Sequence, residues 1–145
     1  MSDPLYRKEI LRLAADATGA GRLAKPSGSA TLFNPACGDR VTVDVMLAGG
    51  RITALTHHTS ACVLSQASAA ILGADAVGLN RAEIATLAAA VQALLAGGGT
   101  PPAPFDSYAA FDGLVAHKPR HKCVMLPLEA VLEAMEQLEL SEPGA

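Results

Sequence analysis

Two alternating runs, "VTVDVML" at 41–47 and "RITALTHHT" at 51–59, are separated by little more than Gly49-Gly50. A period of two marks a strand with one buried face. The glycine pair supplies the backbone freedom that a two-residue hairpin turn requires. The two runs therefore predict an antiparallel hairpin, and its turn sets a register. With Ala48 facing Arg51, paired residue numbers sum to 99, so Leu47 faces Ile52, Val43 faces Thr56 and Cys37 falls opposite Cys62. A bulge at Gly38 or at His57-His58 would shift this by one residue. In either case the hairpin carries Cys37 and Cys62 to the end away from its turn.

The rest of the chain reads mostly as helix. Asp3-Pro4 has the form of an N-cap and first helical residue. Tyr6, Ile10, Leu13 and Ala17 follow on one apolar face, and Gly19 and Gly21 end the segment. "KPSGS" at 25–29 reads as a loop and "ATLFN" as a short strand. "CVLSQASAAILG" predicts a small, closely packing helix from Cys62 to Gly73. Asn80 with Glu83 resembles a capping box ahead of Ile84, Leu87, Val91 and Leu95. The proline-rich stretch from Thr100 predicts loop with a short helical piece over 108–115. The last helix carries Val124, Leu128, Val131, Met135 and Leu138, with Cys123 at its start and Pro127 in the opening turn, where a missing N–H is tolerated. Only five of 145 residues are aromatic, so the core must be built from Ala, Val, Leu and Ile. The expectation is one α+β domain over 1–145: a small antiparallel sheet of about three strands, covered by helices. A chain of this length can bury roughly 70% of its unfolded surface.

Several function classes are disfavoured. Net charge is −3 and no basic block occurs, so the electrostatic footprint of a nucleic-acid binder is missing. No apolar run reaches membrane-spanning length. "MSDPLYRKEILRL" lacks the apolar core of a signal peptide, which predicts a cytoplasmic location where thiols stay reduced. "GGGT" at 97–100 is not a phosphate loop, because the Lys and the strand–helix context are absent. A cysteine protease would need a His and an orienting partner within reach, and nothing in the sequence places them.

Three cysteines remain to be explained. Cys37 is framed by turn-forming residues in "FNPACGDR" rather than by an apolar run. On an extended backbone it shares a side with Asp39. Cys62 and Cys123 each open a helix, where unpaired N–H groups and the helix dipole lower a thiol pKa. Three thiolates and one carboxylate would complete a tetrahedral zinc site. Its formal charge would be about −2, which Lys118, Arg120 and Lys122 beside Cys123 can offset. The competing reading makes each cysteine a packed core residue, since the spacings match no short zinc-finger pattern. His57 and His58 read as exposed strand residues, and adjacent strand positions allow only one of them to face the site. His117 and His121 read as loop residues, with His121 the one nearer a possible ligand role.

"FNPACGDRVTVDVML", "SACVLSQASAAILG" and "RHKCVMLPLEAV" resemble the three signature blocks of the IscU/SufU (NifU N-terminal-like) iron–sulfur cluster assembly family, and "LYRKEIL" resembles its first helix. The resemblance runs along nearly the whole chain. It implies an antiparallel sheet covered by helices and a metal site made of Cys37, Asp39, Cys62 and Cys123. The SufU branch is the more similar. Lys122 stands before the last cysteine where IscU-type scaffolds have His. The segment from Gly78 to Phe111 is long enough to hold the SufU insertion, and Arg120 lies three residues ahead of Cys123. The chain departs from the family pattern in "RLAADATGAGRL" and in His121.

That branch implies a zinc-dependent sulfurtransferase in which Cys37 accepts persulfide sulfur from a SufS-like cysteine desulfurase, with Arg120 assisting. Downstream iron–sulfur assembly proteins would be the further partners. The alternative implied by the family is an IscU-like scaffold that binds iron and builds a [2Fe–2S] cluster on the same ligands.

Overall fold

The computed structural model describes residues 7–35 and 38–141, with side chains described as far as Glu136. The expected helix start at Asp3-Pro4, Tyr6 and Cys37 lie outside the described residues. The elements run α1 (Lys8–Asp16), β1 (Gly28–Asn34), β2 (Asp39–Ala48), β3 (Arg51–Ser60), α2 (Val63–Asp75), α3 (Arg81–Leu95) and α4 (His121–Ser141). Two 3₁₀ segments, Phe105–Leu114 and Lys118–Arg120, link α3 to α4. The architecture is α+β, and the three strands form one antiparallel sheet in the order β1-β2-β3.

The hairpin forms where the alternation places it. Gly49 and Gly50 have φ of 59° and 77°, the pair of positive values that a tight turn matched to strand twist demands. Ala48 pairs with Arg51 and Leu47 with Ile52, as the turn dictates. The register then slips between Met46 and Leu47, so Met46 pairs with Ala54, and Val43 faces His57 rather than Thr56. Thr53 is the extra residue, and its hydroxyl donates to the Met46 carbonyl at 3.2 Å. A bulge of this kind reverses which residues face inward. Leu55 and His57 therefore join Ile52 on the buried side.

One face of β2 presents Val41, Val43 and Val45 to the core, all at most 1% exposed. Helix α4 lies over β1 and β2, and α2 packs between α4, α1 and β3. Ala67, Ala69 and Ala70 of α2 are buried, and such small side chains let neighbouring backbones approach closely. At Gly73 the approach is closest: a Cβ there would collide with the Thr18 carbonyl. The opposite face of β2 carries the Thr31–Thr42 hydroxyl pair, 2.8 Å apart, and Asp44. The Asp44 carboxylate is fully buried and accepts from Arg22, Ser29 and the Leu23 backbone N–H.

Element ends differ modestly from expectation. Helix α1 ends at Asp16, with Ala17 left-handed (φ 48°), ahead of the glycines. Strand β1 starts at Gly28, inside the expected loop. Helix α2 runs past Gly73 to Asp75. The Asn80–Glu83 capping box is present in both directions. Pro127 lies inside α4, beyond its first turn, which withholds a hydrogen bond from the Cys123 carbonyl four residues earlier. No helix among the described residues is long and apolar enough to cross a membrane.

Candidate metal centre

Asp39 has the same parity along β2 as Val41, Val43 and Val45, so the column of valines ends in a carboxylate. It is 2% exposed. A buried carboxylate must be hydrogen-bonded or neutralised, and the start of α2 meets it. Cys62 caps α2 in an extended conformation. Its backbone N–H donates to Asp39 Oδ1 at 3.0 Å, and its Sγ lies 3.5 Å from Oδ2.

Cys123 reaches the same point from α4 and is fully buried. One donor atom from each of Asp39, Cys62 and Cys123 lies within 4.8 Å of the others. A tetrahedral metal bound by sulfur at about 2.3 Å and oxygen at about 2.0 Å sets those two ligands about 3.5 Å apart. The Cys62–Asp39 distance matches that spacing, so this pair of donors suits a thiophilic metal. Cys37, two residues before Asp39, lies outside the described residues.

The electrostatics favour thiolate. The Cys62 thiol is pushed down from 9.0 to about 6, first by a hydrogen bond from the Cys123 side chain. Burial and the Asp39 charge act against that shift, while the backbone N–H groups of Ser65 and Leu64 add to it. Around Cys123 Sγ stand the Asn34 amide at 3.8 Å and Arg120 Nη1 at 3.9 Å. Both point N–H groups at the sulfur, and the guanidinium adds a positive charge.

The histidines lie elsewhere. His57 is buried, not exposed, because the bulge at Thr53 turns it inward. Its Nε2 lies 2.9 Å from the Thr18 carbonyl and so carries the proton, leaving Nδ1 to accept from the Thr59 hydroxyl at 2.9 Å. Burial holds its pKa below the usual value. His58 faces outward. His121 Nε2 donates to the Leu114 carbonyl at 2.7 Å, which ties the 3₁₀ segment to α4.

Sequence reasoning missed two polar residues of the centre. Asn34 ends β1, 5% exposed, with its amide on Cys123. Ser65 is fully buried and donates to the Cys123 carbonyl at 2.7 Å, with Asp39 Oδ2 at 3.3 Å. The available signal was the i, i+3 serine pair in a helix of mostly small and apolar residues. Ser68 likewise donates to the Val124 carbonyl at 2.7 Å.

Known proteins share this architecture. The NifU-like N-terminal domain family matches residues 5–139. The crystal structure of a nitrogen-fixing NifU-like protein (N-terminal) from Brucella abortus is 30% identical, with a TM-score of 0.90 over 97% of this chain and 98% of that one. A protein from Fervidobacterium islandicum AW-1, described as a candidate iron–sulfur cluster assembly scaffold for the SUF system, is 20% identical. Its TM-score is 0.83 over 93% of this chain and 99% of that one. No curated protein sequence matches the chain. With the match spanning nearly all of the sequence and the three signature blocks falling on the hairpin end, the head of α2 and the head of α4, the chain belongs to the NifU-like N-terminal domain family, the iron–sulfur cluster assembly family that those blocks resemble.

Proposed function

We propose that the chain is a SufU-type, zinc-dependent sulfurtransferase of iron–sulfur cluster assembly, working in the reducing cytoplasm with a cysteine desulfurase. The observation that carries the reading is the convergence of Asp39, Cys62 and Cys123 within 4.8 Å, with Cys37 two positions ahead of Asp39 in the sequence. Cys37, Asp39, Cys62 and Cys123 would hold the zinc, which when bound keeps the thiols ionised and restrained.

The transfer itself is a thiol–disulfide type exchange. The Cys37 thiolate attacks the outer sulfur of the desulfurase persulfide. The sulfur–sulfur bond to the partner breaks, a new one forms on Cys37, and the partner cysteine leaves as a thiolate. Arg120, whose guanidinium already lies at the centre, supplies positive charge where sulfur anions come and go. Asn34 keeps the Cys123 sulfur in place. The burial of Asp39 and Cys123 shields their side of the centre from water.

The test mixes zinc-loaded protein with its desulfurase, cysteine and reductant. Faster sulfide release together with added sulfur on Cys37 by mass spectrometry supports the relay. Inhibition by zinc, with a stable coloured cluster formed from iron and sulfide, assigns the scaffold role instead.

A further inference from the structure

Ser65 occupies an unusual position for a hydroxyl. It is fully buried on α2, on the side facing the head of α4, and its Oγ lies 2.7 Å from the Cys123 carbonyl oxygen. That carbonyl would ordinarily accept the N–H of residue 127, one helical turn on. Residue 127 is proline, which has no N–H and whose ring crowds the carbonyl four residues back. A buried carbonyl without a donor is costly, and Ser65 supplies the donor from a different helix.

The same oxygen lies 3.3 Å from Asp39 Oδ2 and 4.0 Å from Cys62 Sγ. The hydroxyl has one hydrogen, and the shorter distance assigns it to Cys123. Its oxygen can then accept from the Cys62 thiol, and Asp39 Oδ2 packs beside it as a second acceptor. One side chain thus touches all three residues that converge at the centre, each held by a different element: β2, the cap of α2, and α4.

We infer that Ser65 is a positioning residue for the metal centre: it gives the Cys123 carbonyl the hydrogen bond that Pro127 withholds, and so fixes the Cys123 thiol against Asp39 and Cys62. This rests on the metal-binding reading above and extends it to a residue that is not a ligand. Pro127 and Ser65 act as a pair. The proline frees the carbonyl from its own helix, and the serine spends that freedom on a cross-link between α2 and α4.

The pairing makes a test that general damage to the core cannot imitate. Ser65→Ala should weaken zinc about tenfold in competition with a chromophoric chelator, as loss of an outer partner commonly does. Adding Pro127→Ala returns an N–H to the carbonyl from within α4. The double variant S65A/P127A should therefore recover most of the lost affinity, although it is one more step from the natural chain. The thermal midpoint of the metal-free protein should follow the same order: lowered in S65A and recovered in S65A/P127A.

Wild-type zinc affinity in S65A, or no recovery in the double variant by either measurement, overturns the inference. Failure of the unaltered protein to bind zinc would sink the metal-centre reading instead. In that case the midpoints still decide whether Ser65 replaces the missing N–H.

Discussion

The Asp39 carboxylate grips Cys62 with both oxygens: Oδ1 takes the Cys62 backbone N–H at 3.0 Å, and Oδ2 faces the Cys62 sulfur at 3.5 Å. One side chain therefore caps α2 and contributes to the candidate centre. Asp39→Ala removes both roles. The lost acceptor at the helix start should cost about 1–2 kcal/mol. Three thiolates should still retain much of the zinc, since carboxylate is the harder and weaker ligand. Asp39→Asn keeps an oxygen for the Cys62 amide and should recover most of the stability while still altering sulfur transfer. Equal transfer rates for wild type and both variants, with equal zinc affinity, would reduce Asp39 to a cap.

The two cysteines at helix heads should behave differently from each other. Cys123 is fully buried, whereas Cys62 is only partly covered. Either Ser substitution should lower zinc content sharply, because serine is a poor ligand at neutral pH. Metal binding is also linked to folding, so both variants should lose the stabilisation that added zinc gives. Cys123→Ser should lose further stability even without metal, since the shorter, smaller hydroxyl draws back from the Asn34 amide and the Arg120 guanidinium that the buried sulfur meets. Full zinc content in both variants would remove these residues from the ligand set.

The fold was legible where local rules act alone. The hairpin, its glycine turn and the Asn80–Glu83 cap follow from neighbouring residues, and all three are present. The register was legible only for its first two pairs. The bulge at Thr53 carries no glycine or proline to mark it, and it alone decides that His57 is buried and His58 exposed. The convergence of Asp39, Cys62 and Cys123 was legible, because a carboxylate beside the hairpin strand and two thiols at helix heads are sequence patterns, while Cys37 lies outside the described residues. The supports of the centre were not legible. Ser65 and Asn34 matter only because α4 crosses β1 and α2, a contact between segments about 60 and 90 residues apart.

Acid should loosen the sheet through Asp44. Burial raises its pKa, but hydrogen bonds from Arg22, Ser29 and the Leu23 N–H, with the Arg22 charge, outweigh burial and leave it below the usual value. A carboxylate depressed in the folded state binds its proton more readily when unfolded. Its contribution is therefore complete above the unfolded pKa of about 3.9, and is lost as pH falls through the lower folded value. Asp44→Asn should destabilise the protein by about 2–3 kcal/mol at neutral pH, the scale of hydrogen bonds to a charged group. It should also flatten the loss of stability as pH falls from about 4 downward. Denaturant midpoints across that range would show it, and parallel curves for variant and wild type would exclude Asp44 as a source.

Arg120 separates the relay from a passive metal site. Its guanidinium lies 3.9 Å from the Cys123 sulfur, yet it is no ligand. Arg120→Ala should leave zinc content nearly unchanged. In the relay, negative charge builds on sulfur as the persulfide bond breaks, and a fixed cation stabilises that charge. Loss of one such group commonly costs 100-fold or more in rate. The variant should therefore transfer sulfur about 100-fold more slowly at saturating desulfurase, and Arg120→Lys should restore part of the rate by keeping the charge. Cys37→Ser should abolish both the added sulfur and the faster sulfide release, because it removes the acceptor itself. A chain that only stores metal or builds a cluster predicts another pattern: Arg120→Ala would change cluster yield or zinc affinity, and no sulfur would be found on Cys37 in any variant. Persulfide mass spectrometry of wild type, C37S, R120A and R120K under one set of conditions distinguishes the two.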